Sequence, residues 1–141
     1  MDQESSQAAA LLQETAACNE RFIDMARRLR TRPGVTTVQH QIDFRVYSSG
    51  PIIEGYVDAE LDCDIGLAWW LEITWDVNIW RIRYGVSCAH AKGQDAVQTF
   101  PDLVTDNVTG LIDKLRVAVN HLEAACESIP LSGTALRPDD G

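Results

Sequence analysis

The amino-acid sequence predicts an α+β fold, in which a four-stranded antiparallel sheet carries the N-terminal and C-terminal helices on one face. Three observations support this two-layer sandwich. Apolar residues recur every three or four positions near both ends, they alternate with polar residues in between, and turn-forming residues separate the alternating segments. The 141 residues are enough to bury one hydrophobic core. We therefore predict a single domain over residues 1–129 and a flexible tail over residues 130–141.

The first helix is predicted over residues 5–31, where one apolar stripe ends in a run of arginines at positions 27–32. Cations near the end of a helix interact favourably with its dipole, and Pro33 and Gly34 do not continue a helix. The arginine run is typical of a solvated helix end, and an anion-binding patch is the alternative. The apolar stripe consists of Ala8, Leu11, Thr15, Cys18, Phe22, Met25 and Leu29.

Four strands are predicted in the middle of the chain, because apolar and polar residues alternate there with a period of two. The pattern is interrupted at 48–51, at Gly66 and at Asn78, and asparagine tolerates the left-handed conformation of a tight turn. Short turns make neighbouring strands antiparallel, so the strands are expected to follow one another in the sheet. A polar connection over residues 89–100 comes next, with a short fifth strand over residues 96–100 as an alternative.

The second helix is predicted over residues 101–129, beginning with Pro101 and Asp102, which are both favourable in a first turn. Each helix has one apolar stripe and the sheet has one apolar face, so both helices are expected on the same side. Trp75 and Trp80 flank the third turn and are expected to pack together in the core. The predicted core contains Val38, Phe44, Leu61, Trp69, Ile73, Trp75, Ile82, Leu111, Leu115 and Leu122.

The charge balance excludes several classes of partner. Twenty-one acidic residues against twelve basic ones give a net charge of −9, which argues against nucleic acid and against anionic membranes. The apolar runs are too short for a membrane-spanning helix, and residues 1–13 lack the pattern of a secretory signal. The four cysteines lie in apolar patterns, which predicts buried free thiols in a reducing, cytoplasmic location. A disulfide or a zinc site is the alternative.

The second and third strands carry their acidic residues on one side. Between Pro51 and Asp76 there are seven acids and no lysine or arginine, and all seven occupy even-numbered positions, which face away from the predicted core. The fourth strand is expected to place Arg81 and Arg83 on the same side, beside the third strand. The seven acids are Glu54, Asp58, Glu60, Asp62, Asp64, Glu72 and Asp76.

Pairing of the second and third strands is expected to bring carboxylates together. In the expected registers Glu72 lies opposite Asp58, Glu60 or Asp62. Like charges directly opposite each other destabilise a sheet. Solvent, a raised carboxyl pKa, a neighbouring cation or a bound partner can relieve this repulsion.

The acidic face has three interpretations. In the first, Tyr56 and Trp70, the aromatic residues on this side, anchor a basic protein partner, and the chain is a non-catalytic binding module without a cofactor. In the second, the face is solvated and maintains solubility. In the third, the carboxylates hold a divalent metal ion for a hydrolase. The candidate partner-binding residues are Tyr56, Asp58, Glu60, Asp62, Trp70 and Glu72, and the candidate metal ligands are Asp58, Glu60, Asp62 and Glu72.

The size, charge and predicted edges of the sheet also bear on the class of protein and on its assembly. In its small size, acidity and helix-backed sheet the chain resembles bacterial immunity proteins, antitoxins and secretion chaperones, although no residue motif carries this likeness. The first and fourth strands are the expected edges of an open sheet, and open edges favour pairing with another strand. A homodimer is therefore a further prediction.

The histidines and one cysteine offer a second candidate site. Cys88 and His90 lie two residues apart on one strand, which would suit a thiolate–imidazole pair or two metal ligands, and Asp95 is the nearest acid. His40 falls on the apolar face of the first strand, where a hydrogen-bonded core histidine is expected. His121 lies beside the main stripe of the second helix and is expected to be solvated.

Overall fold

Two helices and six antiparallel strands form the fold in the computed structural model, which describes residues 3–44, 52–62, 64–90, 93–129 and 131. In chain order the elements are α1 (Gln3–Arg30), β1 (Val35–Phe44), β2 (Ile53–Leu61), β3 (Gly66–Asp76), β4 (Ile79–His90), β5 (Gly93–Thr99), β6 (Leu103–Thr105) and α2 (Val108–Ser128). The sheet has the order β1-β2-β3-β4-β5, and β6 pairs with the first part of β4. The α+β class and the consecutive order of the first four strands are confirmed. The predicted turn at 48–51 and most of the predicted tail lie outside the described residues.

Both helices pack on one face of the sheet, as predicted. They also contact each other, since Arg21 Nε lies 2.8 Å from Glu123 Oε1 and Arg116 donates two hydrogen bonds to the Glu14 carboxylate. Glu14 precedes Arg21 in α1 just as Arg116 precedes Glu123 in α2. The two helices therefore run parallel, and their packing leaves the opposite face of the sheet uncovered.

The hydrophobic core lies between the helices and the sheet. Phe22 of α1 is fully buried and sits against Gly55 of β2, where an added Cβ would lie 2.7 Å from Phe22 Cε2. Only glycine permits this close approach of helix and strand. The side chain of Phe44 is not among those described. The predicted core residues that the structure confirms as buried are Val38, Leu61, Trp69, Ile73, Ile82, Leu111, Leu115 and Leu122.

Trp75 is not a core residue. Its ring lies 4.7 Å from that of Trp80, so the predicted packing of the two tryptophans is confirmed, but its side chain is 44% exposed and its predicted burial was wrong. Its neighbour Asp76, which points to the other face, is exposed as well. Exposure on both faces indicates that this end of β3 extends beyond the helices that cover the rest of the strand.

The region after β4 differs from the four-strand prediction. β5 pairs with the second half of β4, so the alternative of a fifth strand is borne out, although the strand begins at Gly93 rather than at residue 96. Six of its seven residues are exposed, and apolar alternation therefore gives little indication of it. β6 pairs with the first half of β4, which makes β5 and β6, rather than β4, the second edge of the sheet. Consequently α2 begins at Val108 instead of residue 101. Its N-cap is Asn107, whose side chain accepts a hydrogen bond from the Gly110 N–H at 2.6 Å.

A two-residue turn, Val77-Asn78, joins β3 and β4. Both residues have positive φ angles, 42° and 69°, as a type I′ hairpin turn requires. Asn78 adopts the left-handed conformation that the sequence predicts. Val77 is different, because a β-branched residue in this region carries a strain of about 1–3 kcal/mol.

Candidate functional site on the open face of the sheet

The uncovered face of the sheet is organised as rows of side chains that run across β1, β2, β3 and β4. Strand register determines these rows, since residues paired at Cα level point to the same face. From one end of the sheet, the first row is Asp43–Glu54–Glu72–Arg83, the second Gln41–Tyr56–Trp70–Gly85, the third Gln39–Asp58–Ala68–Ser87 and the fourth Thr37–Glu60–Gly66–Ala89. We call this surface the open face.

The first row contains the carboxylate pair, but with a different partner from the one predicted. Glu72 lies opposite Glu54, so the predicted pairing with Asp58, Glu60 or Asp62 was wrong. The turn between β2 and β3 is centred on residues 62–64 instead of Gly66, as the hydrogen bond from Leu61 N to Ile65 O shows at 2.8 Å. An earlier turn shifts the register of the whole pair.

Basic neighbours of β3 occur where they were predicted. Arg83 lies beside Glu72, and Arg81 lies beside Thr74. The Arg81 guanidinium also makes a salt bridge to Asp102 at 3.2 Å. One of the two arginines of β4 is thus already engaged outside the open face.

The second row holds the two aromatic side chains, and they lean in opposite directions. The Tyr56 hydroxyl donates a hydrogen bond to Gln41 Oε1 on β1 at 2.7 Å. The Trp70 ring lies over Gly85 on β4, where an added Cβ would be 3.5 Å from its Cζ2 atom. Both aromatic residues are half-buried. Because Gly85 has no side chain, the Trp70 indole packs against the backbone there, and part of the ring remains accessible.

Asp58 in the third row is a half-buried carboxylate. Burial raises the pKa of Asp58, and the neighbouring charge of Glu60 raises it further. Within the described residues no salt bridge reaches Asp58. Beside it lies a shallow cavity of about 210 Å³, lined by Asp58, Glu60 and the small side chains of Ala68, Ser87 and Ala89.

Asp62 and Asp64 do not lie on the open face. They belong to the turn after β2 and are exposed, and Asp64 has a positive φ of 63°. Both line a larger cleft of about 640 Å³ at the end of the sheet, together with Glu60 and His90. Of the six candidate partner-binding residues, five lie on the open face and Asp62 lies at its border.

The candidate metal ligands do not converge on one point. Glu72 lies in the first row, Asp58 and Glu60 lie in the third and fourth, and Asp62 lies in the turn. In the described part of the chain no three His, Cys, Asp or Glu side chains are grouped so that they could hold a metal ion.

Cys88 and His90 show the expected common face of β4, and a third group joins them. His90 Nε2 lies 2.7 Å from Asp95 Oδ2 on β5. Sequence spacing missed this contact because it depends on the pairing of β4 with β5. The Cys88 thiol is 2% exposed, however, so a substrate could not reach it.

The other two histidines differ in part from expectation. His40 lies on the helix-facing side of β1, but its buried Nδ1 finds no hydrogen-bond partner among the described residues. His121 is exposed, as predicted, yet its Nδ1 lies 2.6 Å from the Tyr84 hydroxyl and its ring stacks on Phe100 at 5.2 Å. Burial raises the pKa of Tyr84. These contacts link α2 to β4 and stabilise the fold.

The arginine run of α1 is used within the fold. Arg28 pairs with Asp24 and with Glu127 of α2. Arg30 donates to the Val38 carbonyl of β1. Arg32 Nη1 donates to the Cys126 carbonyl at 2.8 Å, at the C-terminal end of α2. The arginines therefore join structural elements, and the anion-patch alternative has no support from their contacts.

Cys18, Cys88 and Cys126 are buried and form no disulfide with one another, in agreement with the prediction of buried thiols. Burial raises the pKa of the Cys18 and Cys126 thiols to about 12. Cys63 lies outside the described residues. None of the helices in the described part of the chain has the length and apolar character needed to cross a membrane.

Comparisons of the chain with protein-family models, with curated proteins and with solved structures found no match.

Proposed function

We propose that the chain is a non-catalytic binding module whose open face captures a basic protein partner, in the manner of an immunity protein or a chaperone-like adaptor. The observation that carries the proposal is the location of the acidic residues. Glu54, Asp58, Glu60 and Glu72 lie together on the one face of the sheet that the helices leave uncovered.

The repulsion on the open face favours a cationic partner. Asp58 is half-buried beside Glu60 and has a raised pKa, and Glu54 lies opposite Glu72, whose neighbour on the other side is Arg83. Lysine or arginine side chains of a partner would reduce this repulsion. They would also accelerate association, because complementary charges steer the encounter of two proteins.

The two aromatic residues supply contact area at the centre of the charged region. Trp70 and Tyr56 are neighbours in the second row, with the carboxylates of the first and third rows on either side. Tryptophan and tyrosine are the residues most often found at energetic centres of interfaces, surrounded by polar groups that exclude water. A guanidinium placed over either ring would add a cation–π contact.

The test begins with capture of binding proteins from the native host at low and at high salt. The captured protein is then purified and titrated calorimetrically against three forms of the chain. The first is the wild type, and the second carries Lys at Asp58, Glu60 and Glu72. The third is a matched control with Lys at Glu20, Asp106 and Asp113, exposed residues on α1, just before α2 and on α2, whose reversal changes the net charge equally.

We expect the captured protein to be basic, and its affinity to fall as salt rises, because exposed charges are screened beyond about 8 Å at physiological ionic strength. Reversal of the open face should weaken binding at least about tenfold, a loss of roughly 1.4 kcal/mol, while the matched control should lose much less. Equal losses in both triple variants would show that net charge alone drives binding. Unchanged binding after reversal of the open face would disprove the proposal.

A further inference from the structure

The tip of the β3–β4 hairpin gathers exposed apolar side chains. The described residues include six large apolar side chains that are exposed, and four of them surround this tip: Trp75, Val77, Ile79 and Val104. Val77 is 83% exposed, the largest value among them. Trp75 lies on the helix-facing side of the hairpin, paired with Trp80. Ile79 pairs with Asp76 on the open-face side, where Val104 of β6 pairs with the next outward-facing residue of β4, Arg81. We call these four residues the hairpin-tip patch.

The backbone at the tip does not favour the residue that occupies it. Val77 has a φ of 42°, in the left-handed region where glycine, asparagine and aspartate are the usual residues of a type I′ turn. Its side chain is almost fully exposed, so it contributes little to the packing of the fold. A strained and exposed apolar side chain is therefore not explained by folding, and such outliers cluster at functional sites.

Other contacts hold the patch in place before any partner binds. The Trp75 ring lies 4.7 Å from the ring of Trp80, and Trp80 in turn pairs with Thr105 of β6. A contact surface that is already ordered loses less conformational entropy on binding. The Trp75–Trp80 contact and the pairing of β4 with β6 therefore hold the base of the tip.

Charges around the patch indicate which occupant it fits. Asp76 and Asp102 are exposed beside it, and Arg81, the cation of the described residues nearest in register, is held by Asp102. Asp76 on two facing tips would repel, which argues against a second copy of the chain. An anionic membrane would be repelled as well. An apolar recess bordered by lysine or arginine complements this arrangement.

The patch is continuous with the open face. Along β3 the outward-facing residues run from Glu72 through Thr74 to Asp76, and Asp76 pairs with Ile79 of the patch. A partner that covers the first row of the open face therefore reaches the hairpin tip without a gap.

We propose that the hairpin-tip patch is a second contact for the same basic partner, inserted into an apolar recess with a basic border. This inference rests on the proposed function, and it adds that the partner recognises an apolar projection next to the acidic surface. The open face would determine the charge of the partner, and the tip would select among basic partners.

Two synthetic peptides of equal length and charge test this inference by calorimetric titration. One alternates arginine with leucine, and the other alternates arginine with glycine. The chain is used as wild type, as Val77→Asn and as Trp75→Ala, with Leu12→Asn as the control, because Leu12 is 59% exposed and belongs to α1, outside the hairpin. Asparagine at position 77 tolerates the positive φ, so this variant should fold and melt at a higher temperature than the wild type.

We expect the arginine–leucine peptide to bind the wild type at least about tenfold more tightly than the arginine–glycine peptide. Val77→Asn and Trp75→Ala should abolish this difference and leave the affinity for the arginine–glycine peptide unchanged, whereas Leu12→Asn should preserve it. If both peptides bind the wild type equally, the hairpin-tip inference is wrong and the proposed function stands. If neither peptide binds the wild type, the hairpin-tip inference is wrong, and the proposed function is then decided by the captured partner and the reversal of the open face.

Two further measurements address other occupants. Sedimentation velocity of the wild type and of Val77→Asn should give the same distribution of species. Vesicles of zwitterionic phosphatidylcholine should not retain either protein. Self-association or vesicle binding that disappears in Val77→Asn would assign the patch to a second copy or to a membrane, and would overturn the inference.

Discussion

The two faces of the sheet use the same kinds of residue for different purposes, and two adjacent tryptophans illustrate the contrast. Trp69 points towards the helices and is fully buried, whereas Trp70 points to the open face and rests half-buried over Gly85. The two tryptophans are consecutive residues of β3. The coverage by α1 and α2, and not the residue type, decides which tryptophan stabilises the core and which remains accessible.

Charged residues show the same contrast between the two sides. On the helix side the Arg21 guanidinium hydrogen-bonds to Glu123 and lowers the pKa of that carboxyl group. On the open face burial raises the pKa of Asp58, with a further contribution from Glu60. The ionised form of Glu123 is thus stabilised where the helices meet, whereas the ionised form of Asp58 is destabilised on the face that we propose for partner binding.

Truncation of the adjacent tryptophans should give the largest difference between the faces. Trp69→Ala removes a fully buried ring and should lower the free energy of unfolding by about 3–5 kcal/mol. Trp70→Ala removes a cross-strand contact and should lower it by only about 1 kcal/mol, but it should weaken binding of the captured partner by at least about 2 kcal/mol. Urea denaturation and calorimetric titration measure the two effects. Similar losses of stability in both variants would show that the faces are not distinct.

Two glycines, one on each face of the sheet, allow the same comparison with smaller expected changes in stability. Gly55→Ala places a methyl group against the buried ring of Phe22 and should lower the free energy of unfolding by about 1–3 kcal/mol, through overpacking. Gly66→Ala is the matched control on the open face, where the nearest atoms would lie 4.0 Å from the new methyl group. It should be neutral or slightly stabilising, because alanine reduces the entropy of the unfolded chain. Chemical denaturation would detect a reversed order, which would contradict the close approach of α1 to β2.

Removal of single charges should give the smallest effects, with opposite signs on the two sides. Asp58 has a raised pKa in the folded state, so its contribution to stability is present below its ordinary pKa of 3.8 and is lost as the pH rises through the folded value. Asp58→Asn should therefore be more stable than the wild type at neutral pH. Its advantage should vanish in acid.

Glu123 provides the opposite case. Its lowered pKa means that its stabilising contribution is present above its ordinary pKa of 4.5 and is lost as the pH falls through the folded value. Glu123→Gln should therefore be less stable than the wild type at neutral pH and equal to it in acid. Both effects should stay within about 1 kcal/mol, since both groups are partly exposed. Denaturation curves at several pH values measure the stability change of each variant relative to the wild type. Changes of the same sign in Asp58→Asn and Glu123→Gln would contradict the proposed difference between the two sides of the sheet.

Most helices and strands were predictable because their apolar residues recur in the sequence with a regular period. The stripe of α1 and the alternation of β2, β3 and β4 reflect local backbone geometry, which repeats every 3.6 or every two residues. β5 shows no clear period, because all but one of its residues are exposed and neither of its faces requires apolar side chains. The start of α2 was misplaced for the same reason, because three residues of β6 are too few to show a period.

The candidate site was predictable in its composition but not in its arrangement. Alternation alone assigns Tyr56, Asp58, Glu60, Trp70 and Glu72 to one face. The partner of Glu72 depended on the backbone of the 62–64 turn, where Asp64 adopts a positive φ. A turn centred three residues earlier than expected changed every cross-strand neighbour without moving any residue to the other face.

The sequence by itself determined on which side of the sheet each strand residue lies, because a strand points alternate side chains to opposite faces whatever its surroundings are. Tertiary structure alone decided how far the helices cover the sheet, and therefore that Trp75 is exposed at the hairpin tip although it lies on the same side of β3 as the buried Trp69. It also decided that Glu54 meets Glu72 and that His90 meets Asp95. These contacts join residues on different strands, and their geometry depends on turns and packing that no local periodicity encodes.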